Sequence, residues 1–197
     1  MTGRKIRLTL ASLNKQLSLI PMSITLIVAQ SIDGFITRHD SGGANWTSPA
    51  DKKWFRHCLT GFDAQVMASK TYDSARAGIL ANRSTGAFRI VMTRDPVRYQ
   101  TDHLAGKLEF SAAAPSEIIE RLQQEGCTKC ALLGGAFAHD AFLKAGLVDE
   151  LWITLEPRLF GSGTPVVSAQ QDRRLELIHH ERLPESDSLL LKYRVRP

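Results

Sequence analysis

The sequence is short of cysteine, with three in 197 residues, and aromatic residues make up only 7% of it. Three thiols cannot all pair, and Cys58 lies far along the chain from Cys127 and Cys130. No disulfide framework is visible, and a reducing cytoplasm is the expected compartment. Cys127-Thr128-Lys129-Cys130 has the spacing of half a zinc site, yet no second such pair and no spaced histidine pair accompanies it. It reads as two ordinary thiols entering a strand, and no metal is expected. His179-His180 also lacks a spaced partner, and its expected strand should expose the two rings alternately. No apolar run is long enough to span a bilayer, so no membrane role is expected. Internal repeats, low-complexity tracts and interdomain linkers are missing as well.

What is present is a moderate excess of positive charge, +5 with a pI near 9.3. Such a balance suits nucleic acid, an anionic membrane surface or a phosphorylated small molecule. The cations are scattered and do not alternate with aromatics, so nucleic acid is not an expected partner. Residues 1 to 21 hold Arg4, Lys5, Arg7 and Lys15 and no acid. That composition has the look of a transit peptide, and equally fits a disordered extension or sequence upstream of a start at Met22. The fold is expected to begin near Met22 and to form one domain over 22–197.

Ser23 to Ala29 is a near-continuous apolar run, the mark of a strand buried on both faces. Shorter runs follow at Ala64 to Ala68, Phe88 to Thr93, Ala131 to Leu133 and Leu151 to Leu155. Helical signals lie between them. Ser48-Pro49 is an N-cap with proline at the first helical position, backed by Trp54, Phe55 and Cys58. Ser116 is a second start, with Ile118, Ile119 and Leu122 behind it and Gly126 as the stop. A third helix is expected from about Ala136 to Ala145, ending at Gly146. Alternating strands and helices imply an α/β fold with a mostly parallel central sheet covered on both faces. Leu175 to Leu183 and Leu189 to Val195, joined by Pro184-Glu185-Ser186-Asp187, predict a C-terminal antiparallel hairpin at the sheet edge.

Chemistry gathers at two places in this pattern. Ala29-Gln30-Ser31-Ile32-Asp33-Gly34-Phe35-Ile36 turns sharply at the carboxyl end of a buried strand, where ligands collect in open α/β sheets. Asp51 stands in the first turn of a helix and would be explained by the helix dipole alone. Trp46 and Phe55 nevertheless flank it with aromatic surface, and a carboxylate so placed suits the N–C–N edge of a flat nitrogen heterocycle.

The ordered series Trp46, Pro49-Ala50-Asp51, Phe55, Met67-Ala68-Ser69-Lys70-Thr71-Tyr72-Asp73-Ser74, Asn82-Arg83 and Ile90-Val91-Met92-Thr93-Arg94 resembles that of dihydrofolate reductases. Leu133-Gly134-Gly135-Ala136, Phe142, Gly146-Leu147-Val148-Asp149-Glu150-Leu151 and Pro157 to Pro165 are similar to the C-terminal reductase domain of the bifunctional riboflavin deaminase-reductase. So are Ser31-Ile32-Asp33-Gly34 and Trp46-Thr47-Ser48-Pro49.

The resemblance implies a dihydrofolate-reductase-like three-layer fold and NADPH as cofactor. Gly134 and Gly135, with Ala136 and Phe137 behind them, follow a strand and open a helix, so their backbone N–H groups would face a diphosphate. Ser69, Lys70 and Thr71 match phosphate-contacting positions, and Thr93 and Arg94 match the position reading the 2′-phosphate. Ala29 and Ile36 complete the cofactor side. Ala68-Ser69 replaces the Gly-Arg common in dihydrofolate reductases, leaving Lys70 or Arg94 to supply charge. The Asp-Asp-Pro segment and late-helix arginine usual in riboflavin-type reductases are replaced by Asp73-Ser74-Ala75-Arg76 and Cys58-Leu59.

By the same resemblance Asp51 is the catalytic candidate, with Asp33, Trp46, Thr47, Ser48 and Phe55 on the substrate side. The implied reaction is hydride transfer to a C=N or C=O carbon, as in 5-amino-6-(5-phosphoribosylamino)uracil reduction. A dihydrofolate or pterin reductase and a non-catalytic nucleotide-binding module are the alternatives. Trp152 and Phe160 read as core or subunit contacts, and a homodimer through the late strands is the expected assembly.

Overall fold

The computed structural model describes residues 21–196. The expectations for residues 1–20 lie outside the described residues. Strand β1 (Ser23–Ser31) is followed by α1 (Pro49–Leu59), β2 (Ala64–Ala68), α2 (Ser69–Ala81), β3 (Phe88–Met92) and β4 (Leu108–Ser111). Then come α3 (Pro115–Gln124), β5 (Lys129–Leu132), α4 (Ala136–Lys144), β6 (Glu150–Glu156), β7 (Leu175–Arg182) and β8 (Leu189–Val195). The strands make one sheet in the order β4-β3-β2-β5-β1-β6-β8-β7. Its first six members are joined by parallel pairings, and the β7–β8 hairpin adds to β6 antiparallel. This is the expected mixed α/β sheet with its closing hairpin. No helix among the described residues is long and apolar enough to cross a membrane.

Alternation along the strands divides the core. Ile24, Leu26, Val66, Ile90 and Leu132 point to the face covered by Ile118, Ile119 and Leu122 of α3 and by Ala138 and Phe142 of α4. On the other face a smaller cluster joins Met67, Val91 and Leu108 to Tyr72 of α2 and to Tyr99. Each large apolar side chain so buried contributes roughly 1.5–3 kcal/mol.

Neighbouring β2 and β5 therefore send their helices to opposite sides of the sheet, which opens a crevice at their carboxyl ends. There the Ala68 amide donates to the Gly134 carbonyl at 2.6 Å and ties the two exits together.

Three local expectations change. Helix α3 begins at Pro115 with Ala114 at the N-cap rather than at a Ser116 cap, and the Glu117 carboxylate reaches back to accept from the Ala114 amide at 2.8 Å. Helix α2 and strand β4 occupy segments that carried no periodic signal. All eight residues of β7 are exposed, so His179 and His180 do not alternate: the strand lies at the sheet edge and none of its residues is buried among the described residues. Cys127 and Cys130 are buried free thiols around the start of β5, and burial pushes the Cys127 thiol up to about 11.

Candidate active site

A cleft of about 2190 Å³ runs over the carboxyl ends of the strands between α1 and α2 and reaches the start of α4. One wall is made by two helix starts. Neither α2 nor α4 has a side-chain cap, their N-cap residues being Ala68 and Gly135. Among the described residues no side chain closes the first turn of either helix, and each of these ends, at the edge of the cleft, carries part of a positive dipole.

At α4 the chain passes close to its neighbours. A Cβ on Gly134 would crowd His139 Nε2 at 3.1 Å, whereas one on Gly135 would stand at ordinary contact, 3.4 Å from Thr71 Oγ1. Gly134 also holds φ at +105°, where other residues are strained. Thr71, Lys70, Thr93 and Arg94 border the same end of the cleft. Lys70 and Arg94 are exposed and form no ion pair among the described residues. These are the features an anionic diphosphate requires, and the residues present fit one. His139 is fully buried, its Nδ1 donating to the Val166 carbonyl at 2.7 Å while Nε2 has no partner. Burial lowers its pKa, so the ring stays neutral. Sequence reasoning passed over it because a lone histidine within a helix carries no spacing signal.

The opposite wall is α1. Ser48 caps this helix by accepting from the Asp51 amide at 3.1 Å, which leaves Asp51 at the cleft with 6% of its surface exposed. Desolvation raises the Asp51 pKa and the negative charge of Glu156 adds to that, while the Thr154 and Thr47 hydroxyls oppose it. The Thr154 hydroxyl faces the carboxyl outside ordinary hydrogen-bond geometry and has no other partner. A carboxyl held in this way keeps its proton to higher pH, and so suits a proton donor. Phe55 lines the cleft one helical turn further on.

Of the residues picked out from sequence, Ala29, Ile36, Thr47, Asp51, Phe55, Ser69, Lys70, Thr71, Thr93, Arg94, Gly134, Gly135, Ala136 and Phe137 all border this cleft. Asp33, Trp46 and Ser48 do not. Asp33 accepts from Ser31 Oγ at 2.6 Å, from the Gly161 amide at 2.7 Å and from the Phe160 amide, fastening two loops together. The Ser31 hydroxyl and then the Gly161 amide lower its pKa. Trp46 packs edge-on against Phe160 at 4.9 Å. Phe160 is thus a packing residue, and Trp152 stacks near Trp54 and Phe62 under the Lys192 ammonium. Ser48 turns inward and donates to Glu156 Oε1 at 2.9 Å. Glu156 and Thr154 were missed because β6 follows the Ser48 cap by more than a hundred residues. No local pattern links them.

The chain is 26% identical over 144 residues to the uncharacterized protein YwjB of Bacillus subtilis, covering 72% of this chain and 80% of that one. Its fold matches the Thermotoga maritima diaminohydroxyphosphoribosylaminopyrimidine deaminase/5-amino-6-(5-phosphoribosylamino)uracil reductase with a TM-score of 0.71 at 15% identity. That match covers 94% of this chain and 59% of the other, so this chain spans about three fifths of that protein. It also matches the dihydrofolate reductase of Enterococcus faecalis, solved with NADP(H), with a TM-score of 0.62 at 18% identity over 89% and 97% of the two chains. The family model described as the RibD C-terminal domain matches residues 22–187, and the chain belongs to that family.

Proposed function

We propose that this chain is an NADPH-dependent reductase of the riboflavin-biosynthesis type. The observation that carries the reading is the facing of two uncapped helix starts, meeting at a glycine pair, by a buried carboxyl of raised pKa across one cleft. The amides of Gly135, Ala136 and Phe137, with those at the start of α2, would hold the diphosphate. Lys70 and Arg94 would add charge for a 2′-phosphate. Bound there, the reduced nicotinamide supplies a hydride to a C=N or C=O carbon. Asp51 then holds the proton for the substrate's heteroatom, and Phe55 packs the ring's face. Asp33 and Ser48 support this wall from behind as loop tie and helix cap, and Trp46 buttresses the loop before it.

The test is titration with NADPH and with NADH, followed by NADPH oxidation with 5-amino-6-(5-phosphoribosylamino)uracil. The expected result is saturable NADPH binding and substrate-dependent oxidation. Absence of affinity for either dinucleotide would sink the reading. A dihydrofolate or pterin reductase is the second reading, favoured by the same Asp51 carboxyl because pterins share the N–C–N edge. Dihydrofolate as the better substrate would select it.

The proposal extends to a homodimer through the hairpin edge, where Leu175, Leu177 and Ile178 of β7 are all exposed. A monomer in sedimentation at micromolar concentration would remove that part.

A further inference from the structure

Behind Asp51, away from the cleft, lies a row of hydroxyls that the proposed chemistry does not yet use. Ser186 in the β7–β8 turn is half-buried, and its hydroxyl donates to Ser188 Oγ at 2.8 Å. Ser188 is fully buried and its Oγ lies 3.2 Å from Ser48 Oγ. The Ser48 hydroxyl donates to Glu156 Oε1 at 2.9 Å, and the Glu156 side chain has 1% exposure. The direction of the middle bond follows from its neighbours. Ser48 spends its one hydrogen on the carboxylate, and Ser186 spends its own on Ser188, so Ser188 must donate to Ser48. Every hydrogen in the row thus points inward, from the turn to a buried carboxylate. None of these four residues borders the cleft.

A helix cap needs only Ser48. Two further serines, drawn 140 positions along the chain to continue the row outward, do nothing for α1. The interior end is also loaded with chemistry. Thr154 stands two residues before Glu156 on the same face of β6, and its buried hydroxyl is unpartnered beside Asp51. The charged groups around this end are Asp51 and Lys52 from α1 and Glu156 from β6. At the outer end Asp187 is paired with Arg182.

We propose that Ser186, Ser188 and Ser48 form a proton relay from solvent to Glu156, which reloads the Asp51 carboxyl when the unpartnered Thr154 hydroxyl turns between the two carboxyls. This rests on the reductase reading for its purpose. Reducing a C=N or C=O bond adds a hydride at carbon, and the π pair takes a proton at the heteroatom, leaving Asp51 as carboxylate. A hydronium ion at the surface then gives a proton to Ser186 and is left as water. Each serine oxygen gains a hydrogen from outside and passes its own inward, so O–H bonds broken equal those formed. Glu156 receives one proton, hands it on through Thr154, and returns to carboxylate as Asp51 becomes the acid again. The hydroxyls rotate back for the next cycle. Ligands filling the cleft cover Asp51 but leave this rear path open.

The experiment is a caged-proton pH jump on the full, ligand-free chain, read by infrared as the rise of the Glu156 carboxylic acid band. E156Q and D51N assign the bands. Glu156 does not border the cleft, so the readout needs neither cofactor binding nor turnover, and a failed reductase assay is separately visible. In S188A the rise is expected to slow roughly tenfold or more, equal to about 1.4 kcal/mol on the barrier. S188T, which keeps a hydroxyl, is expected to stay within about twofold of the parent, well under 1 kcal/mol on the barrier. A purely structural role would shift the melting temperature of S188A and leave the rate alone. Proton uptake by S188A at the parental rate, or no Glu156 band at any pH at which the chain is folded, overturns the relay.

Discussion

The two walls of the cleft treat their hydrogen-bond donors in opposite ways. On the α1 side the first turn is closed by Ser48, whose hydroxyl is in turn bound to Glu156, so the donors are consumed within the protein. On the α2 and α4 side two helices start on Ala68 and Gly135 with no side chain to close them. A missing cap costs about 1 kcal/mol; α3, away from the cleft, also starts on an alanine, but there the Glu117 carboxylate reaches back to the Ala114 amide. Of the four helices among the described residues, only α1 is closed by a side chain at its N-cap. Open amides beside a glycine pair are useful to an external anion, whereas a sealed network behind a buried carboxyl is useful to a proton. On the proposed reading, one wall grips the cofactor and the other carries the acid chemistry.

The largest effect should come from Asp51→Asn, which removes the proton and keeps the shape. Turnover is expected to fall by about 10²- to 10⁴-fold, with NADPH affinity within about twofold of the parent, because the other wall does the gripping. Stopped-flow NADPH oxidation alongside a binding titration measures both. Loss of affinity in this variant would break the division of labour.

Next come the two glycines, which separate backbone strain from ligand space. Gly135 has φ near −80°, open to any residue, so Gly135→Ala should fold as the parent does. It should still weaken NADPH by roughly tenfold, since its methyl group enters the diphosphate space beside Thr71, about 1.4 kcal/mol of binding. Gly134→Ala adds strain at positive φ and a crowded His139, and should also lose about 1–3 kcal/mol of stability. Equal behaviour of the two variants in urea melts and titrations would remove the distinction.

The same contrast explains what could be read along the chain. Helix α1 was legible because Ser48-Pro49 is a local stop-and-start signal, and Gly134-Gly135 was legible as a turn with a family resemblance behind it. Helix α2 was not, because it lacks a cap and Tyr72 is its one fully buried residue. β7 misled because period-two reasoning assumes a covered face, and every residue of this edge strand is exposed. In the site, Asp51 was visible beside its aromatics. Glu156, Thr154 and Ser188 were invisible, since only tertiary folding brings β6 and the hairpin to the cap. Ser48 was identified as important but turned toward the wrong neighbour.

Ser48→Ala should have a smaller effect, a loss of about 1–2 kcal/mol of stability. It removes the cap of α1 and one of two donors to Glu156, the Ser48 amide at 3.1 Å being kept. Chemical denaturation measures it. A loss below the error of that measurement would mean that water replaces the hydroxyl, and that the sealed wall is less sealed than its geometry implies.

The smallest effect is one of sign, and it compares two buried aspartates. Asp51 has its pKa raised above the ordinary 3.8, chiefly by desolvation. Its folded form binds the proton more tightly than the unfolded chain does, so the stability it contributes is complete below the ordinary carboxylate range. That contribution is lost as the pH rises through its raised value. Asp102 has its pKa lowered, chiefly by the Arg76 guanidinium at 2.7 Å, and so contributes above the ordinary range and fails as the pH falls. In thermal melts, Asp51→Asn should therefore gain on the parent as pH climbs away from the ordinary carboxylate range and then level off. Asp102→Asn should fall further behind the parent over the approach to that range from below. Turnover of the parent should decline through the same window in which Asp51 gives up its proton. A parental stability advantage over Asp51→Asn that grows with pH would mean that the carboxylate, not the acid, is the form this wall was built to hold.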